Sequence, residues 1–259
     1  MQSSNPILTR GAYTKDGYAT FDVENLEQTY QAPSAGPLQT GRMTIDDVVT
    51  RTAMLIAIVI GTAAITWSLD LGGGIFLIAL IGGLVLSFVN ALSKTVRPPL
   101  IIAYAVAQGI VVGALSNMYN SMYDGIVTQA VVGTMAAFVG VLALYASGRL
   151  RATPKFTRTL IGAAIGYFVL AMASLIASFF GVGNGWGFYG VSGIGLLIAG
   201  AGVLLASLFL VLDFDQIENG VRSGAPQIES WRAGFGLLVT MVWLYMEILR
   251  FLAILRNND

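Results

Sequence analysis

The chain has 259 residues, 56% of them hydrophobic and 11% charged, against about 25% charged in an ordinary soluble domain; its 14 basic and 14 acidic residues cancel. This composition belongs to a polytopic membrane protein, and the absence of a basic excess gives no reason to expect a nucleic-acid partner. Cysteine and histidine are both absent, which excludes disulfides, thiolate or imidazole metal sites and catalysis by either side chain, and leaves any proton chemistry to carboxylates.

Residues 1–42 are polar, with Pro6, Pro33 and Pro37, and lack the apolar stretch of a signal peptide. They read as a disordered cytoplasmic tail ahead of a membrane domain over 43–259. Thr44-Ile45-Asp46-Asp47 resembles a capping box with Asp in place of Glu, so Asp46 and Asp47 are expected as first-turn acids of a helix. Seven apolar segments follow at about 51–69, 73–93, 98–118, 126–147, 159–180, 190–212 and 233–255, each near the ~20 residues needed to cross the hydrocarbon core. The fold class expected is an all-α membrane protein, a seven-transmembrane helix bundle. Gly109-x-x-x-Gly113, Gly162-x-x-x-Gly166 and the glycines at 193, 195, 200 and 202 predict close helix packing. Asn90, Gln108, Asn117, Asn120 and Gln129 are expected to bond between helices. With the N-terminus inside, Lys and Arg gather on the cytoplasmic connections, and the C-terminus is outside. Arg256 disturbs that pattern, and a re-entrant last helix would restore it.

From Thr159 to Leu212 there is no charged side chain; then Asp213, Asp215 and Glu218 come together. Acids at a helix C-terminus oppose the macrodipole. Two readings stand: solvated marks of the membrane surface, or part of an ion or proton path. At 100° per residue Asp213 and Asp215 point to opposite sides, while Asp215 and Glu218 share a face, which leaves Asp213 as the inward candidate. Glu247 and Arg250 lie three apart inside the last span, either as a structural pair or as part of a path. No enzyme constellation appears, and an intramembrane aspartyl protease would need a second Asp on a facing helix.

The stretches Gly109-Ile-Val-Val-Gly-Ala-Leu-Ser116, Val127-Thr-Gln-Ala-Val-Val-Gly-Thr134, Leu212-Asp-Phe-Asp-Gln-Ile217 and Leu244-Tyr-Met-Glu-Ile-Leu-Arg-Phe-Leu252 carry a family resemblance. In their order and spacing the chain resembles the Bax inhibitor-1/YccA-like family, the transmembrane Bax inhibitor motif family, in its bacterial branch with an extended N-terminus. The resemblance implies a seven-helix bundle with the last helix central, set in a bacterial inner membrane. It also implies a pH-sensitive calcium leak in which an Asp ending the sixth helix shares a proton with an Asp of the last helix. Asp213 matches the first through Asp-Phe-x-Gln-Ile. The second falls at Thr240, which cannot ionise. Asp215 or Glu247 could replace it, or Asp213 could pair with an Arg and hold the bundle shut. No resident cofactor is expected, and Ca2+ would be cargo. The alternative is a regulatory protein that uses its tail to bind a larger membrane complex or a membrane protease.

Overall fold

The computed structural model describes Gly41 to Asn257, except residues 186 and 191–192. The chain divides into residues 1–40 and 41–259; the tail expected over 1–42 lies outside the described residues apart from Gly41 and Arg42.

The described residues form seven helices, each long and apolar enough to cross a membrane. They are α1 (Ile45–Ser68), α2 (Gly74–Leu92), α3 (Pro98–Met122), α4 (Ile126–Ala146), α5 (Pro154–Phe179), α6 (Ile194–Arg222) and α7 (Glu229–Asn257). Thr44 starts α1 through the capping box: its Oγ1 accepts from the Asp47 N–H at 3.1 Å, and the Asp47 carboxylate accepts from the Thr44 N–H at 3.1 Å. Two 3-10 turns, Val182–Gly185 and Gly187–Gly190, join α5 to α6.

Helix α6 does not stop at the acids. It continues past Leu212 to Arg222, which adds roughly 15 Å at 1.5 Å per residue. The extension carries its own support, because Glu218 and Arg222 pair at 2.6 Å across one turn and Arg222 complements the helix C-terminus.

Helix α7 is the centre of the bundle. It packs chiefly against α6, α1, α4 and α3, and 56% of its apolar window is buried, against 11% for α5. Helix α2 sits on α3, and α5 is held mainly by α6 and the 3-10 turns. The last helix is thus walled by four neighbours, with α2 and α5 outside them.

Both ends of α7 are tied to loops. Near its start the Arg232 guanidinium donates to the Ser93 and Lys94 carbonyls, each at 3.1 Å. Near its end Arg256 donates to the Asp124 carbonyl at 2.7 Å. Those loops precede and follow α3, so α7 runs the full height of the bundle. It is one continuous helix of 29 residues, long and apolar enough to cross a membrane.

The small-residue motifs divide. Gly109 and Gly113 are pressed against α1: a Cβ on Gly109 would lie 2.6 Å from the Thr62 Cβ, and one on Gly113 2.8 Å from the Ala63 Cα. Gly162 and Gly166 have nothing within 4 Å of a Cβ, so the second motif packs against no helix. Asn90 bonds between helices as expected, donating to the Leu100 carbonyl at 3.2 Å; Asn117 instead donates to Asp70 in the α1–α2 connection at 2.7 Å, and the Asn120 side chain accepts from the Gly125 N–H just beyond its own helix at 3.2 Å.

Candidate functional site

The α6–α7 end of the bundle is closed by a short strap. Arg42 bridges antiparallel to Pro226; the Met43 N–H donates to the Ala225 carbonyl and the Gln227 N–H to the Gly41 carbonyl, both at 2.8 Å. The turn it meets depends on Gly224, whose φ of +69° suits glycine. Gln227 also donates to Asp47 at 2.9 Å, which ties the α1 capping box to the same turn.

Beneath the strap lies a cavity of about 360 Å³. Met43, Asp213, Gln216, Glu229, Arg232 and Gly236 are among its lining residues. Asp213 is partly buried, and its Oδ2 has no hydrogen-bond partner in the structure. Opposite it, on α7, the buried Thr240 hydroxyl lies beside the Asp213 carboxylate. One turn earlier on α7, a Cβ on Gly236 would lie 3.8 Å from Asp213 Oδ1. Beyond this pair the buried core takes over, with Ala206, Leu210, Met241 and Leu244 on the next turns of α6 and α7. The cavity is therefore a vestibule that ends at the carboxyl.

The residues expected at the site separate into three places. Asp213 meets Thr240. Asp215 and Glu218 face away, into a second hollow of about 650 Å³ between the α4–α5 connection and α6. Neither is simply solvated: Asp215 accepts from Asn219 at 2.9 Å, and Glu218 accepts from the Tyr145 hydroxyl at 2.5 Å while pairing with Arg222. Asp215 is thus no replacement partner for Asp213. Nor does Asp213 make an ion pair among the described residues; Arg232 lines its vestibule but pairs with Glu229 at 3.1 Å, and Arg222 belongs to Glu218.

Glu247 and Arg250 form the third place. Seven residues beyond Thr240, Glu247 is roughly 10 Å further along α7. It is 3% exposed, and its carboxylate is fully engaged. Oε1 accepts from Trp243 at 3.1 Å and Arg250 at 3.2 Å, while Oε2 accepts from Tyr167 at 2.8 Å. Tyr189 donates to the Tyr167 hydroxyl at 3.0 Å and its ring lies 4.4 Å under the Arg250 guanidinium. Gly202 makes room for this cluster, since a Cβ there would come within 2.6 Å of Glu247 Oε2. A buried carboxylate satisfied on both oxygens is a structural joint between α5, α6 and α7. Sequence reasoning missed Tyr167, Tyr189 and Trp243. Their signal was a polar-tipped aromatic deep in an apolar run, where the hydroxyl or indole N–H must find a partner.

A bundle of seven apolar helices, the last of them buried at its centre, defines a polytopic α-helical membrane protein. The Bax inhibitor 1 like family model matches residues 5–257, nearly the whole chain, and the chain belongs to that family. No curated protein matches it.

Proposed function

We propose that the bundle is a gated leak for a cation, with calcium as cargo and Asp213 as the gate residue. One observation supports this above the others: an acid with a buried, unpartnered oxygen forms the floor of an open vestibule. Such a group costs stability and is not needed to join α6 to α7. Carboxylate oxygens are also what hard divalent cations take as ligands. The apolar layer beyond Thr240 corresponds to a shut path, which opens when α6 and α7 part there. With Thr240 opposite, the gate works through one carboxyl and a hydroxyl rather than two acids sharing a proton. The reading involves no catalysis and no resident cofactor. It sets the protein in a bacterial inner membrane with the α6–α7 end cytoplasmic, since Lys and Arg concentrate on that side.

The test is calcium flux into liposomes holding the full chain, followed from mildly acidic to mildly alkaline pH. Flux above empty liposomes, with a pH profile altered in Asp213→Asn, is expected. Flux equal to that of empty liposomes at every pH sinks the proposal. The polar segment 1–42 supports a second reading, a regulatory protein docked on a larger membrane complex or a membrane protease. Detergent pull-down of full-length and tail-deleted chains checks it; identical partners, or none, remove the docking role.

A further inference from the structure

Helices α5 and α6 leave a furrow between them of about 450 Å³, lined by Leu160, Gly166, Leu170, Ala201, Leu204 and Leu208 among other residues, nearly all of them apolar. Toward the α6–α7 end, about two turns further along α6, the furrow gives way to the 650 Å³ hollow beside the α4–α5 connection. That connection and the first turns of α5 carry Arg149, Arg151, Lys155 and Arg158, with no acid between them. All four are exposed, and none joins an ion pair among the described residues. Arg151 lines the hollow itself, and Arg158 immediately precedes Thr159, which lines the furrow. Neither acid of the hollow makes an ion pair with any of the four: Glu218 pairs with Arg222 and accepts from Tyr145, and Asp215 accepts from Asn219.

A soluble anion would answer the charges and leave the furrow empty. A neutral acyl chain would fill the furrow and leave the charges unanswered. We propose that an anionic phospholipid occupies this side of the bundle as a bound ligand, an acyl chain in the α5–α6 furrow and its phosphate among Arg151, Lys155 and Arg158. The lipid supplies contacts that α5 lacks from protein, for α5 is the least buried of the seven helices. Basic residues that only set topology require no lipid of one headgroup; a site selects its headgroup. This inference is independent of the leak reading.

The experiment is native mass spectrometry of the full-length protein in detergent, titrated with phosphatidylglycerol, phosphatidylcholine or inorganic phosphate, with thermal unfolding as a second readout. Phosphatidylglycerol is expected to bind and to raise the melting temperature, phosphatidylcholine to do so far less, and inorganic phosphate not at all. Replacing Arg151 and Arg158 together by Gln weakens phosphatidylglycerol binding roughly 30-fold, from about 1 kcal/mol per basic residue. Gly166→Leu puts a bulky side chain into the furrow from a position whose Cβ has no atom within 4 Å, and lowers lipid occupancy. Val169→Leu, at an exposed position of the same helix that does not line the furrow, leaves occupancy unchanged. Equal binding of the two lipids, a matching shift with inorganic phosphate, or full binding by the double Gln variant or by Gly166→Leu overturns the proposal.

Discussion

Glu247 shows what a single buried charge requires in this bundle. It is 3% exposed, and its oxygens are shared among Arg250, Trp243 and Tyr167. Glu247→Ala leaves the Arg250 guanidinium without its carboxylate, a change that costs about 3–5 kcal/mol where a buried pair is broken from one side. Glu247→Met combined with Arg250→Met removes both charges and costs much less. Unfolding of the purified variants in detergent separates the two, and equal losses would show that the unpaired Arg250 charge is not what makes the single substitution costly. Glycines give a second contrast at the same scale. Gly113→Val drives side-chain atoms into the Ala63 backbone and costs about 1–3 kcal/mol. Gly162→Ala meets empty space and is neutral or stabilising by up to about 1 kcal/mol. Melting temperatures of the pair are expected to move in opposite directions or, for Gly162→Ala, not at all.

At the scale of elements, the strap and the α6–α7 turn act together. Gly41, Arg42 and Met43 are held by three points of the turn, and Thr44, Asp47 and Gln227 extend the contact into α1. Thr44→Ala removes the cap of α1 and costs about 1 kcal/mol. It also frees Asp47 from the Thr44 hydroxyl, loosening the turn it shares with Gln227. Met43 is 4% exposed and lines the Asp213 vestibule. Because the chain has no cysteine, Gly236→Cys places one reporter thiol beside Asp213. Met43→Ala is expected to speed maleimide labelling at that thiol several-fold, whether or not the protein conducts ions. Unchanged labelling would show that access to the vestibule does not pass Met43.

For the whole molecule, the course of α7 fixes which loops share a side. Ser147 and Ser223 lie at the end that holds the strap; Asp124 and Asn257 lie at the other. Single cysteines at the first two positions are expected to react with an impermeant maleimide from one face of the membrane, and those at the last two from the opposite face. Labelling of position 257 together with 223 would restore the re-entrant last helix. In the same reading Arg256 is a loop anchor: its guanidinium caps the Asp124 carbonyl, which accounts for a basic residue on the sparsely charged side.

Much of this architecture was legible in the residues alone. Span length, the uncharged run from Thr159 to Leu212, the capping box at Thr44 and the opposed faces of Asp213 and Asp215 follow from helix geometry and the cost of charge in lipid, which act along the chain. Thr240 was likewise singled out, as the position where the family resemblance places a second acid. What the chain could not reveal is which surfaces meet. Two G-x-x-x-G motifs have the same spacing, yet one presses into α1 and the other has nothing within 4 Å of either Cβ position. Glu247 and Asp213 are both acids on inner helices, yet one is saturated by side chains of α5 and α7 and the other keeps an unpartnered oxygen. Those differences arise from contacts between segments far apart in sequence. In a membrane, moreover, apolar side chains face lipid as readily as protein, so hydrophobicity does not mark the inward face; only the tertiary structure decided it.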